Sequence, residues 1–496
     1  MAKYKHNNRN QIEMRMIDFT EQLVEGTLEH TIDYLLEKRI DLGDFDEMFH
    51  NNTNGAPAYN PKILLKVILY AYANGILGSR KIEKACEQNI IFMTLSGGHV
   101  PHFTSIADFI HRFDVPIKKV FKEVLLICCE LDLIGGEFLA VDGCKFASNS
   151  AKEWSGTFSD LEKKETKIRK TVEFLLEKHK GSDRLGIDCV ARRQTIEKLE
   201  SKADRIRNFL ENNEPRLGPR GREIQSNVTD NQSARLKSAH GWVQGYNGVA
   251  MVDSKSQVIL GAEVFGGNNE GMYLREFLKE TRISVLDDPK NDFLASATLL
   301  ADTGFFSEDN LKYLSDEKIK CLIPDQYYRK RDPRFATKSR HNTGRRKGYL
   351  DPSQFIYDAE NHQYICPNNC QLTYKGIRKL GKSSGKRYES NPQDCKICSL
   401  KAQCHKDTNC KIRTIYNALG RYEIDYVKEM MSNIDSVHGR ETYSKRMGIV
   451  EPVFANIRHA KRMDRFNYRT KRKVNSQWVL YCMVHNIGKI TLAMRN

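Results

Sequence analysis

Three acidic residues of this chain lie next to apolar residues that would anchor them in a core. Asp142 follows FLAV, Asp302 follows LLA, and Glu451 lies between GIV and PVF. A buried carboxylate costs free energy unless it is paired with a cation or bound to a metal. Because carboxylate oxygens suit hard cations, two strand-end aspartates and a helix-borne glutamate would together hold two ions of Mg2+ or Mn2+.

Two ions held about 3.5 to 4 Å apart activate a water or a 3′-hydroxyl and stabilise the leaving oxygen of a phosphodiester. A single aspartate at a strand end is more often a turn residue or a helix cap, so the prediction depends on the ordered set. Asp253 is an alternative to Asp142, since it also follows an apolar run. Its position in a tight hairpin favours a turn residue. We therefore predict Asp142, Asp302 and Glu451 as the metal-binding and catalytic residues.

The elements that would position these carboxylates alternate between helices and strands. Apolar residues recur at helical spacing up to about residue 115, EFLAVDG has the profile of a strand, and YNGVAMVDSKSQVILGAEVF that of a hairpin. ATLLADTGF is a further strand, and a helix follows it, so the pattern predicts an α/β fold with a sheet of mixed direction. The predicted segments are a helical DNA-binding region at residues 1–134, the first part of the core at 135–150, a charged helical insertion at 151–225, the continued core at 226–324, a basic cysteine-rich insertion at 325–418, and a helical part of the core at 419–496.

The region around Glu451 is predicted to be helical. Pro452 indicates that a helix begins or kinks at Glu451, because proline is tolerated in a first turn and disfavoured inside a helix. Arg458 lies seven residues later and so on the same helical face, where it would hold a DNA phosphate against the metals. A later helix has one apolar face formed by Leu480, Met483, Val484 and Ile487.

The charge balance favours a polyanionic partner. The chain has 496 residues and a formal net charge of +16, and Lys and Arg gain affinity for nucleic acid by releasing counterions. A merely basic soluble protein has the same composition. The most apolar window, KILLKVILYAYANGIL, is shorter than the ~20 residues of a membrane span, and MAKYKHNNRNQ lacks the apolar core of a signal peptide. We therefore expect a cytoplasmic, nucleoid-associated protein without membrane contact.

A group of cysteines in the basic insertion predicts a structural zinc site. Four thiolates at these spacings would bind one Zn2+ and hold together a loop-rich segment with little core. Reduced, unligated cysteines are the alternative, and no thioredoxin-like context favours a redox pair. The predicted ligands are Cys366, Cys395, Cys398 and Cys404. Cys370, Cys410 and His405 lie close enough in sequence to replace one of them.

A basic stretch between residues 329 and 347 would contact a phosphate backbone without reading sequence. A solvated surface loop is the alternative interpretation. The residues predicted to bind DNA here are Arg329, Arg331, Arg345 and Arg346. Lys461 and the cations after it extend this basic character beyond Glu451.

Taken together, AVDG, LLADTGF and YSKRMGIVEPVFANIRHAKR resemble the three catalytic blocks of bacterial insertion-sequence transposases of the DDE class. The chain is most similar to the family 1182 of insertion sequences, through PAYNPKILLKVILYAYANGI, GYNGVAMVD and VEPVFANIRHAK. The resemblance implies an RNase H-like core interrupted by insertions and preceded by an all-α region. It also implies Mg2+ dependence, with cutting and rejoining of double-stranded DNA at the terminal inverted repeats of the element.

The resemblance extends to a signature of tyrosine, arginine, glutamate and a final Lys or Arg, which falls on Tyr443, Arg446, Glu451 and Arg458. Four residues separate Arg446 from Glu451, where the signature has three. That departure weakens the expectation that Tyr443 and Arg446 contact terminal DNA, whereas the spacing from Glu451 to Arg458 matches the signature.

These observations predict a DNA transposase that acts as a homodimer on the ends of its element and on target DNA. Two alternatives stay open, namely a metal-dependent DNA nuclease without strand transfer and a non-catalytic DNA-binding protein derived from a transposase. A Ser or Cys nucleophile that forms a covalent DNA link is disfavoured, because no convincing nucleophile lies beside a helper base.

Overall fold

The computed structural model describes residues 16–49, 57–180, 189–218, 221–238, 241–267, 270–285, 293–335, 350, 352–380, 383–405, 409–419 and 425–495. The chain divides into two compact units. The first comprises Met1–Phe305, Leu314–Leu322 and Glu441–Asn496, and the second comprises Phe306–Tyr313 and Ile323–Arg440. Among the described residues, no helix is both long and apolar enough to cross a membrane.

The amino-terminal part of the first unit is helical, as predicted. Its helices are α1 Leu28–Tyr34, α2 Gly43–Asp46, α3 Pro61–Ala73, α4 Ser79–Gln88, α5 Ile90–Ser96, α6 Phe103–Arg112 and α7 Asp114–Glu130. The side chain of Asn60 caps α3 by accepting a hydrogen bond from the Lys62 N–H, and Pro61 occupies the first turn. Most of α3 is buried, which explains why its sequence is the most apolar of the chain.

A mixed sheet forms the centre of the first unit. Its strands are β1 Phe138–Ala147, β4 Ala234–Ser238, β5 Gly241–Asp253, β6 Ile259–Phe265, β7 Thr298–Ala301 and β8 Lys320–Leu322, while β2 Ser155–Gly156 and β3 Ser226–Asn227 form a separate pair. The order is β4-β5-β1-β7-β8, and β6 also pairs with β5. The pairs of β5 are antiparallel, whereas β1, β7 and β8 run parallel to one another. The predicted mixed direction of the sheet is thus confirmed.

Several helices follow the first strand and the hairpin. They are α8 Phe158–Lys180, α9 Cys189–Asn212, α10 Leu274–Val285, α11 Phe293–Ser296 and α12 Glu308–Asp316. The charged helices α8 and α9 pack against each other through a small cluster of buried side chains, Leu161, Ile206 and Phe209. Because few apolar side chains form this contact, Lys, Glu and Arg dominate the remaining positions of this stretch.

Two long helices end the chain, α17 (Val437–Ala455) and α18 (Lys471–Met494). The prediction of one apolar face on α18 understates its burial, because residues 474–487 are all buried. Asn475 Oδ1 accepts a hydrogen bond from the Val264 N–H at 2.9 Å, and Asn486 Oδ1 accepts one from the Ile259 N–H at 2.8 Å. These amides satisfy backbone groups of β6, so polar residues are stable inside a buried helix.

The second unit is built on an antiparallel five-stranded sheet in the order β13-β12-β11-β10-β9. Its strands are β9 Ile356–Asp358, β10 Gln363–Ile365, β11 Gln371–Leu380, β12 Ser383–Ser390 and β13 Thr414–Leu419, and its helices are α13 Tyr328–Arg331, α14 Pro392–Lys396, α15 Lys401–Cys404 and α16 Tyr426–Asp435. A small core gathers Phe355, Leu372, Tyr388, Cys404 and Ile415. Because so few apolar side chains are buried here, a cross-link such as a bound metal ion would stabilise this sheet.

Candidate active site

Asp142 and Asp302 follow directly paired residues on adjacent parallel strands. The parallel register of β1 and β7 pairs Val141 with Ala301, and each aspartate is the next residue along its strand. Asp142 does not end its strand, contrary to the prediction. β1 continues to Ala147 because its second half pairs with β5, with Asp142 opposite Ala250. Asp302 comes immediately after the last residue of β7. The two aspartates therefore lie side by side on adjacent strands.

The surroundings of Asp142 supply one cation and one backbone donor. The Gly143 N–H donates to Asp142 Oδ1 at 2.8 Å, and Arg446 Nη2 lies 2.8 Å from Asp142 Oδ2. Burial nevertheless raises the pKa of Asp142, and the charges of Asp302 and Glu451 raise it further, while Arg446 acts in the opposite direction. Asp302 and Glu451 thus each lie close enough to Asp142 to affect its charge.

Glu451 belongs to a helix that starts well before it. α17 begins at Val437 and contains Pro452 in its interior, so of the two predicted alternatives, a helix that begins or one that kinks at Glu451, the first is wrong. Pro452 has no N–H for the carbonyl of Gly448, four residues earlier, and Gln257 Nε2 donates to that carbonyl at 3.1 Å instead. After α17 the chain widens into a π-helical turn, Asn456–Ala460. The Glu451 side chain is exposed and therefore accessible to a ligand.

A fourth carboxylate, Glu270, lies at the same site and was not predicted. Its pKa is raised by burial and by the charges of Asp142 and Asp302. Lys145 Nζ lies 3.6 Å from Glu270 Oε1, and Asn247 Nδ2 donates to the same oxygen at 3.1 Å. No local signal marks Glu270 in GGNNEG, because all of these partners are distant in sequence.

Asp253, the rejected alternative to Asp142, is the last residue of β5 and directly precedes the hairpin turn, rather than lying in it as predicted. It is fully buried, and its carboxylate accepts hydrogen bonds from three backbone N–H groups. The donors are Gly135, Gly136 and Lys255, at 3.0, 2.8 and 2.8 Å. A carboxylate saturated in this way holds a loop and has little capacity left for a metal.

Comparison with protein families identifies two segments of the chain. Residues 365–491 match the family described as transposase DDE domain, and residues 18–112 match the one described as transposase domain (DUF772). Together they support a DDE transposase. The first match includes Arg446, Glu451 and Arg458, whereas Asp142 and Asp302 lie outside it. A comparison with curated proteins finds no match.

The residues predicted to bind DNA differ in their exposure and in their contacts. Arg446 is buried against Asp142, and Lys461 Nζ donates to Asn456 Oδ1 at 2.6 Å. Arg458 is exposed, with its guanidinium 5.5 Å from the centre of the Phe146 ring, and Tyr443 is half-buried. Of these side chains, Arg458 is the one most open to a phosphate.

Within the second unit, Arg331 forms ion pairs that stabilise the fold. It contacts Asp325 at 2.6 Å and Asp435 at 2.5 Å, whereas Arg329 is exposed. Arg345 and Arg346 lie outside the described residues. The intramolecular pairs of Arg331 leave Arg329 as the more accessible of the two described candidates.

Five cysteines of the second unit converge on one small cavity. Its lining includes Cys366, Cys370, Cys395, Cys398, Cys404 and His405. The Cys370 N–H donates to Cys366 Sγ at 3.3 Å, and Ser390 Oγ lies 3.0 Å from Cys395 Sγ. Cys410 is exposed and is not part of this lining. In the described part of the chain, no three His, Cys, Asp or Glu side chains form a preassembled metal site.

Proposed function

We propose that the protein is a DNA transposase that cuts at the terminal inverted repeats of an insertion sequence and joins the ends to target DNA. Asp142, Asp302 and Glu451 are its catalytic residues. The observation that carries this proposal is the parallel register of Val141 with Ala301, which sets the two aspartates side by side. The charge of Glu451, which contributes to raising the pKa of Asp142, supports Glu451 as the third carboxylate.

The strand order supports an RNase H-like core. Strands β6, β5 and β1 form an antiparallel meander, and β7 and β8 extend it in parallel on the side of β1. The two matched segments are compatible with the family 1182 of insertion sequences, the closer relationship that we propose.

The donor set fits a hard divalent cation. Carboxylate oxygens are the ligands that Mg2+ and Mn2+ prefer, and burial, together with the charges of Asp302 and Glu451, raises the pKa of Asp142. Asp142, Asp302 and Glu451 would hold two ions after rotation of their side chains. Such ions supply a strong nucleophile from water or a 3′-hydroxyl and stabilise the leaving oxygen.

The remaining groups position these carboxylates and the substrate. The Gly143 N–H fixes one oxygen of Asp142, and Arg446 holds the other until a competing cation binds. Arg458 presents its guanidinium beside β1, where it would bind a phosphate of the terminal DNA. We propose Tyr443, Lys461 and Arg329 as further DNA-binding residues, and the protein would act as a homodimer on DNA in the nucleoid.

A structural zinc ion would complete the second unit. We propose Cys366, Cys395, Cys398 and Cys404 as its ligands, with Cys370 as the alternative to one of them. Convergence of these thiols on one cavity supports the proposal, as does the small apolar core around them. Cys410 is a weaker candidate, because it is exposed and does not line that cavity.

Strand transfer separates this function from simple hydrolysis. The purified protein would be incubated with Mg2+, a labelled duplex that ends in the terminal repeat, and a supercoiled target plasmid. Transposition predicts that label becomes covalently joined to the plasmid. Cut ends that never join would indicate a nuclease, and repeat binding without cutting would indicate a DNA-binding protein.

A further inference from the structure

Glu270 begins a short 3-10 helical turn, Glu270–Met272, between β6 and α10. Its side chain is only 11% exposed. The carboxylate receives a hydrogen bond from Asn247 and lies near Lys145, which face each other in the register of β1 and β5. Glu270 is therefore held beside Lys145 and Asn247, on the pair of strands that also carries Asp142.

Two glycines leave room for this arrangement. A Cβ atom on Gly304, two residues after Asp302, would lie 2.5 Å from Glu270 Oε2. A Cβ atom on Gly143, next to Asp142, would lie 2.6 Å from Asn247 Nδ2. The Glu270 and Asn247 side chains thus occupy space beside both aspartates, which larger residues at positions 143 and 304 would fill.

An unsatisfied polar atom lies at the same place. Asn247 is fully buried, and its Oδ1 has no hydrogen-bond partner among the described residues. Buried polar groups without partners are rare in folded proteins, and they often indicate a missing ion or water. Since Asn247 holds Glu270 with its other amide atom, the unsatisfied oxygen indicates a ligand beside Glu270.

The local charge is also unbalanced. When ionised, Asp142, Asp302, Glu451 and Glu270 carry four negative charges, and the cations paired with two of them are Arg446 and Lys145. Burial raises the pKa of Glu270, and the charges of Asp142 and Asp302 raise it further, in agreement with this imbalance. A divalent cation would balance the two negative charges that remain.

We propose that Glu270 is a fourth carboxylate of the divalent-ion site, which binds an ion together with Asp142 and Asp302. This inference rests on the proposed function, since it uses the same metal site. It makes Glu270, which lies outside the triad, an additional charged ligand of the ion. Lys145 and Asn247 act as positioning residues for it.

Mn2+ binding tests the assignment without DNA or activity. The full-length protein would be titrated with Mn2+, and free Mn2+ measured by electron paramagnetic resonance, for the wild type and for Glu270→Gln. Glutamine keeps the oxygen that accepts from Asn247, so this variant removes charge while the hydrogen bond remains. Glu263→Gln is the matched control, because Glu263 is a buried glutamate on β6 that pairs with Lys118.

We expect Glu270→Gln to weaken Mn2+ binding between about 10-fold and 100-fold, and Glu263→Gln to leave it within about twofold. Unchanged affinity in Glu270→Gln, with binding lost in Asp302→Asn, would overturn the role of Glu270 and leave the proposed function intact. If the wild type and Asp302→Asn bind Mn2+ equally, the triad itself fails and Glu270 with it. Circular dichroism of each variant verifies that it is folded.

Discussion

The buried Arg446 forms an ion pair with the half-buried Asp142, with Arg446 Nη2 2.8 Å from Asp142 Oδ2. The arginine comes from α17, the helix that carries Glu451, and the aspartate comes from β1. The pair thus ties the helix to the strand across the candidate active site. Since the arginine occupies one oxygen of a proposed metal ligand, the pair also links ion binding to stability.

Replacement of Arg446 by Met should destabilise the first unit by about 3–5 kcal/mol, because it leaves the Asp142 carboxylate buried without its cation. Mg2+ should recover part of this loss, since a divalent ion supplies the missing positive charge. Urea unfolding with and without Mg2+ measures both effects. The control is Arg458→Met, which removes an exposed guanidinium from the same segment. Equal losses in the two variants would contradict the account.

Gly143→Ala tests the space beside Asp142. The new Cβ would lie 2.6 Å from the Asn247 side chain, so Asn247 must move and release Glu270. We expect a loss of about 1–3 kcal/mol in the free energy of unfolding and weaker Mn2+ binding. Gly448→Ala is the matched control, because its Cβ would contact nothing within 4 Å. That control should be neutral or slightly stabilising, as expected for alanine in a helix. A neutral Gly143→Ala would argue against the packing described.

Lys461 should make stability depend on pH. Burial lowers the pKa of its ammonium from 10.5 to about 8 in the folded protein. Between about pH 8 and 10.5, Lys461 therefore binds more protons in the unfolded chain than in the folded chain. Its contribution to the free energy of unfolding rises with pH over this range. Lys461→Met should remove that rise, which urea unfolding at several pH values would measure. Parallel pH profiles of the two proteins would exclude a lowered pKa.

The zinc proposal predicts one zinc ion per chain by elemental analysis. Cys395→Ser and Cys398→Ser should each abolish zinc binding and lower the melting temperature of the second unit, because a structural ion contributes folding free energy. Cys410→Ser should retain both, since Cys410 is exposed away from the cavity. Zinc absent from the wild type, or lost equally in Cys410→Ser, would contradict the ligand set.

The positions of Asp142 and Asp302 could be predicted from sequence because each follows an apolar run that fills a buried strand. The hairpin around Asp253 was predictable for a similar reason, since two such runs flank a short polar turn. The extent of β1 was not, because residues after Asp142 stay in the strand only through pairing with β5.

Other features depend on contacts between residues that are distant in sequence. Local rules place Pro452 at the start of a helix or at a kink, and α17 continues through it, with Gln257 satisfying the Gly448 carbonyl. Glu270 has no signal of its own, since Asn247, Lys145 and the aspartates come to it only in the folded chain. The predicted segment boundaries and the zinc ligands stay predictions.

The most direct test of the central claim compares the wild type with Asp302→Asn on a labelled duplex that carries the terminal repeat of the element. Both proteins would be assayed for binding, for Mg2+-dependent cleavage and for joining to target DNA. The account predicts that both bind the duplex, that the wild type cuts and joins it, and that Asp302→Asn does neither. Equal cleavage by the two proteins would contradict the carboxylate mechanism.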